Sequence, residues 1–123
     1  MTTSAIIFLI GRIMFGGYFT MMEFNHFKNN KMLTGYAASK GVPSPSLAVY
    51  FSGILIILGG AGIISGWYPI ISLALIIAFL LPVSFLIHSY WKNSDPMTKM
   101  ADMTHFYKNM ALIGATLMLI VSF

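Results

Sequence analysis

The sequence predicts an all-α integral membrane protein, a four-helix antiparallel bundle forming one domain over residues 1–123, and three observations predict it. Hydrophobic residues make up 58% of the chain and charged residues only 8%, against about 25% charged residues in an average soluble domain. The apolar residues gather into four runs, at about 4–24, 47–65, 69–91 and 104–123, each close to the ~20 residues a helix needs to cross hydrocarbon. The connections are short, so neighbouring helices run antiparallel.

The first run, from Ser4 to Phe24, lacks the basic n-region and small-residue cleavage site of a secretory signal and carries Arg12 in its middle. It is therefore expected to remain in the mature protein as span one. A polar stretch from Asn25 to Ser46 follows, ending in the breaker run Gly41-Val42-Pro43-Ser44-Pro45, which separates span one from span two. Ser46 is the expected cap of span two, which closes at Gly66; Trp67-Tyr68-Pro69 then makes a tight turn at the membrane interface. Pro69 suits the first turn of span three, and Pro82 inside that span predicts a kink. The segment Lys92 to Met103 is a second polar connection, and span four starts near Thr104.

Glycines concentrate in the first two spans, at Gly11, Gly16 and Gly17 and at Gly53, Gly59, Gly60, Gly62 and Gly66. Small residues let membrane helices approach closely, so spans one and two are expected to form a tight pair, with Gly62 and Gly66 in internal packing rather than a dimer face. Lys28, Lys31 and Lys40 in the first connection, and Lys92, Lys99 and Lys108 in or near the last, place both polar connections in the cytoplasm and both termini outside. The formal net charge of +4 thus belongs to membrane topology and not to nucleic-acid binding. The absence of cysteine excludes disulfide relays and iron–sulfur ligation.

Arg12 is the first candidate functional residue, because a charge in the middle of a spanning helix costs about 2.5–3.5 kcal/mol on insertion scales. No carboxylate lies at its depth. Its candidate partners are backbone carbonyls, the hydroxyls of Ser52, Ser65, Ser72 and Thr116, a bound anionic or quinone oxygen, or lipid headgroups reached by snorkelling.

The second candidate is a cluster. The end of span one, the end of span three and the start of span four meet at one membrane surface, collecting Glu23, Asn25, His26, His88, Tyr90, Trp91, His105, Tyr107, Lys108 and Asn109. Glu23 and His26 are three residues apart and so share a helix face. Glu23, His26, His88 and His105 have the chemistry of a metal site, but di-iron bundles need more carboxylates than this chain supplies, and no metal is favoured. An aromatic and histidine belt at the headgroup layer is an equal account of the same residues. A quinone site is the third, in which Glu23 and a histidine exchange protons with the headgroup while Phe24, Phe27, Phe85, Phe106 and Trp91 surround the tail. Met97, Met100 and Met103 repeat at every third position, as in an interfacial amphipathic turn.

Across nearly its whole length the chain resembles the DoxX family of small four-helix membrane proteins. The resemblance rests on Gly11-Arg12 with Phe15-Gly16-Gly17, on Asn25-His26-Phe27, on Gly35-Tyr36-Ala37-Ala38-Ser39-Lys40-Gly41-Val42-Pro43, on Ser52-Gly53 with Leu58-Gly59-Gly60, on His88-Ser89-Tyr90-Trp91, and on Lys108 to Gly114. It implies a membrane bundle tied to quinone-linked redox work, similar to the small membrane subunits of thiosulfate:quinone oxidoreductase or to partners in redox-defence and quinone-resistance systems. By the same resemblance Arg12, His26, His88, Trp91 and Asn109 occupy family motif positions, while Glu23 and His105 are less characteristic. The expected function is that of a small subunit or partner in a quinone-linked membrane redox system, with quinone as the expected cofactor. The alternative is a non-enzymatic accessory subunit that assembles with other membrane proteins.

Overall fold

The computed structural model describes residues 2–123, apart from the side chain of Glu23. Five α-helices follow one another: α1 at Thr3–Lys28, α2 at Asn30–Ser39, α3 at Pro45–Ser65, α4 at Pro69–Leu86 and α5 at Pro96–Ser122, with a 3₁₀ turn at Tyr90–Lys92 between the last two. Three segments are long and apolar enough to cross a membrane, Thr3–Lys28, Pro45–Ser65 and Pro69–Lys92. The fourth, α5, opens with polar turns carrying Lys99, Asp102 and Lys108 before its apolar half.

α1 packs on α3, α3 on α4 and α4 on α5, while α2 packs on α3. Phe8 against Phe123, with ring centroids 5.0 Å apart, and a 2.9 Å bond from Lys108 to the Tyr18 hydroxyl close the ring between α5 and α1. Phe19, Ile56, Ile63, Leu73, Ile76, Phe79 and Leu80 form the buried centre. Lipid tails are as apolar as these side chains, so association must come from close packing. That packing is visible at the glycines. A Cβ added at Gly16 would lie 2.8 Å from the Gly60 carbonyl oxygen, one at Gly60 would lie 3.0 Å from the Gly16 carbonyl, and one at Gly59 would lie 3.1 Å from that of Ser72.

The α3–α4 turn follows from its residues. Gly66 takes the left-handed conformation, φ 75°, as the cap of α3, and its N–H returns to the Gly62 carbonyl. A Cβ is strained there, which is why helices so often end on glycine. Pro69 then opens α4, where its missing N–H costs nothing.

Helix boundaries depart from the sequence expectation at several points. α1 continues past Phe24 to Lys28, and ten residues of the polar stretch fold as α2. The cap position of α3 is Ser44, at φ 46°, and not Ser46, which lies inside the helix. α5 begins eight residues before Thr104, because Asp95 is a working N-cap: its carboxylate accepts from the Thr98 N–H at 3.0 Å and from the Thr98 hydroxyl at 2.8 Å. Pro96 stands at the first helical position, the place where proline is best tolerated.

Candidate functional site

Arg12 is bonded to the end of a neighbouring helix. Its Nε donates to the Ile63 carbonyl at 3.0 Å and its Nη2 to the Ile64 carbonyl at 2.9 Å. These carbonyls belong to the last turn of α3, whose final four have no partner within the helix. The guanidinium therefore caps α3 and meets the negative end of its dipole. Phe8 and Phe123 flank it, with ring centroids 6.0 and 5.7 Å from the guanidinium carbon. The hydroxyls weighed as partners are occupied elsewhere: Ser52, Ser65, Ser72 and Thr116 each donate to a carbonyl near them in the chain.

At the opposite end of the bundle a different residue organises the charges. Asp102, 4% exposed on α5, receives four donors: the Tyr36 hydroxyl, His88 Nδ1 at 3.0 Å, the Asn93 amide at 2.7 Å and Lys40 Nζ at 3.3 Å. Lys40, whose side chain is 6% exposed, also donates to the Ser89 carbonyl at 3.2 Å and to Asn93 Oδ1 at 2.6 Å. Its ammonium is a buried ion-pair partner, a role beyond the topological charge expected from the sequence. Burial alone would raise the Asp102 carboxyl, but the bonds from Tyr36, His88, Asn93 and Lys40 outweigh it and hold the group at about 2. Burial, the bond to Asp102 and the carboxylate charge push the Tyr36 phenol up to about 12. Both groups keep their neutral-pH forms, an anion and a phenol.

Tyr36 and His88 of this network line a cavity of about 540 Å³. Most of the lining is apolar, including Leu55, Phe79, Val83, Leu86 and Ile87. Polar side chains reach it from several elements, among them His26 of α1, Tyr36 of α2, His88 just after α4, and His105, Lys108 and Asn109 of α5. The bond to Asp102 makes His88 Nδ1 the protonated nitrogen and leaves Nε2 without a protein partner among the described residues. His26 is set the same way, its Nδ1 donating to the Met22 carbonyl at 3.0 Å. Asn109 is 4% exposed, and its side-chain amide makes no hydrogen bond among the described residues. Its amide borders the cavity, where a ligand can take up its donors and acceptor. Pro82 and Ala78 add a further acceptor, since Pro82 has no N–H to offer the Ala78 carbonyl one turn earlier.

His105 stacks beside His88, with ring centroids 4.8 Å apart, and its Nδ1 lies 3.4 Å from Lys108 Nζ. Among the described residues no three His, Cys, Asp or Glu side chains come together as a metal-binding group. Trp91 is outside the cavity lining and packs with Phe85, Tyr90 and Phe106. Arg12 and His26, fourteen residues apart on α1, are separated by about 21 Å along the helix, so the candidate set divides between the two ends of the bundle. The side chain of Glu23 lies outside the described residues.

Asp102 and Asn93 were missed in the sequence, and Tyr36 and Lys40 carried a resemblance without a role. The structure supplies that role as a clamp on Asp102. The DoxX family model matches residues 7–89. The chain belongs to the DoxX family. No curated protein and no solved structure matches it. Within this DoxX protein the matched region holds Arg12, His26, Tyr36, Lys40 and His88, while Asp102, which binds three of them, comes from beyond it.

Proposed function

We propose that this DoxX-family membrane protein binds a quinone headgroup in the cavity of about 540 Å³ and serves as the small subunit or partner of a quinone-linked redox system. The observation that carries the proposal is His88, backed by the buried Asp102 carboxylate and facing a mostly apolar cavity that the Asn109 amide also lines. A quinone offers two carbonyl acceptors on an apolar ring and tail. Asn109 has an N–H₂ for one carbonyl. With Nδ1–H held by Asp102, neutral His88 presents Nε2 as an acceptor, which suits the hydroxyl of the reduced quinol; it donates to a quinone carbonyl only when Nε2 carries a proton, and Asp102 stabilises that imidazolium. Asp102, held at about 2, does not deliver a proton itself. It fixes the ring through Nδ1.

When bound, a quinone supplies the two-electron couple, and this reading assigns the electron donor to a partner subunit, since thiol and iron–sulfur carriers need the cysteines this chain lacks. We place the α2 end of the bundle in the cytoplasm, on the support of Lys28, Lys31, Lys92 and Lys99 in its connections.

The test is titration of the purified protein in nanodiscs with a short-chain ubiquinone analogue, followed by tryptophan fluorescence. His88→Gln and Asn109→Leu are each expected to weaken binding at least fivefold. Unchanged affinity in both variants, or no saturable binding by the parent, overturns the proposal.

A further inference from the structure

We infer that the Arg12 end holds a second ligand site, for an anionic phospholipid. A groove of about 380 Å³ runs there between the first half of α1 and the last half of α5, lined by Ile7, Phe8, Gly11, Phe15, Met118 and Leu119 around Arg12. Its chemistry is one cation in an apolar channel. The guanidinium uses Nε and Nη2 on α3, and Nη1 makes no hydrogen bond among the described residues. The C-terminal end of a helix offers about half a negative charge, and no ion pair involving Arg12 occurs among the described residues. About half a unit of positive charge is left for an outside anion to neutralise.

Depth selects the anion. The Arg12 guanidinium touches Gly66, where an added Cβ would lie 2.6 Å from Nη2. The next two residues, Trp67 and Tyr68, are exposed rings of the kind that mark the headgroup level of a bilayer. At that level the abundant anion is a lipid phosphate, for which guanidinium is the preferred partner. The groove provides what the attached chain needs, since an acyl tail fills the channel between Gly11 and Met118 that no side chain fills. The phosphate binds the remaining face of the guanidinium, whose other nitrogens cap α3, which couples lipid binding to the α1–α3 contact.

The test is native mass spectrometry of the protein exchanged into nanodiscs of equal phosphatidylglycerol and phosphatidylcholine. The parent is expected to retain phosphatidylglycerol at least fivefold over phosphatidylcholine. Arg12→Gln should abolish the preference, but it also removes the α3 cap. Gly11→Leu leaves the α3 cap in place: a Cβ at Gly11 meets nothing within 4 Å, so the new side chain starts in open space and occupies the groove. It is expected to reduce lipid retention at least fivefold with an unchanged melting temperature. Equal retention of the two lipids by the parent, full retention by Gly11→Leu, or a preference for free fatty acid over phospholipid overturns the inference.

Discussion

Replacing Asp102 with asparagine tests whether one carboxylate organises the α2 end of the bundle. The side chain is almost fully buried and accepts from Tyr36, His88, Asn93 and Lys40. Asparagine keeps one acceptor oxygen and turns a donor toward groups that are themselves donors. Lys40 then stays buried without a counter-charge. The carboxyl lies about 2 units below its usual 3.8, and at about 1.36 kcal/mol per unit this is roughly 2–3 kcal/mol from proton linkage alone. Removing one partner of a buried ion pair costs about 3–5 kcal/mol because the other charge is stranded. We expect Asp102→Asn to lose about 3–5 kcal/mol in equilibrium unfolding in detergent micelles, followed by circular dichroism. Lys40→Met should rescue part of that loss, so that the double variant is less destabilised than the sum by at least ~1 kcal/mol. A loss under ~1 kcal/mol for Asp102→Asn, with additivity toward Lys40→Met, would refute the reasoning.

Stability should vary with pH at both extremes. The Asp102 carboxyl is depressed to about 2, so its contribution is present above its ordinary value near 4 and is lost as pH falls toward 2; Asp102→Asn should flatten that acid limb. Tyr36 is raised to about 12, so the neutral phenol contributes fully below pH ~10 and is lost as pH rises through 12; Tyr36→Phe should remove the alkaline limb. Unfolding midpoints across pH would show both, and a parent profile as flat as the variants' would contradict them. Adjacent glycines should respond oppositely: Gly16→Ala places a methyl 2.8 Å from the Gly60 carbonyl oxygen, whereas at Gly17 nothing lies within 4 Å. The first should cost about 1–3 kcal/mol by overpacking and the second gain up to about 1 kcal/mol from a less flexible unfolded chain. Equal unfolding free energies for the pair would count against the close α1–α3 contact.

The membrane bundle was legible because apolar runs of spanning length need no tertiary information. The α3–α4 turn was legible for a similar reason, since Gly66 and Pro69 are local signals. Helix starts in polar sequence were harder. Asp95-Pro96 is a readable cap and first-turn pair, yet the polarity of Lys99 and Asp102 suggested a connection, and α5 proved to begin there. The cavity-facing set of His26, His88 and Asn109 could be named from the spans that carry them. Asp102 could not, because its importance lies in donors 62 and 66 positions earlier at Lys40 and Tyr36. Such a pairing has no local trace. Lys40 shows the same limit from the other side: a lysine in a polar connection looks like a topological charge until its acceptors are seen. Arg12 was visible as an anomaly, but its partners are carbonyls, which every residue has.

The positions of the two cavities follow from where the glycines are spent. Gly16 and Gly60 bring α1 against α3, and Gly59 and Gly62 bring α3 against α4 at Ser72, so that added side-chain atoms would collide with a facing backbone or hydroxyl. Neither contact leaves room for a ligand. The α5–α1 seam has no such pair: a Cβ at Gly11, Gly17 or Gly114 meets nothing within 4 Å, and contact is made instead by long side chains, Phe8 to Phe123 and Tyr18 to Lys108. Long side chains prop helices apart where small ones let them close. Both cavities draw walls from α1 and α5, one toward Arg12 and one toward His88, and the ring-to-ring and hydroxyl-to-ammonium contacts are the props between them. It follows that Tyr18→Ala, which removes the prop nearest the His88 cavity, should alter quinone affinity without disturbing the Asp102 network. The pH profile of unfolding, which reports Asp102 and Tyr36, should then stay as in the parent while the quinone titration shifts; a changed acid limb would mean that the seam and the network are one unit.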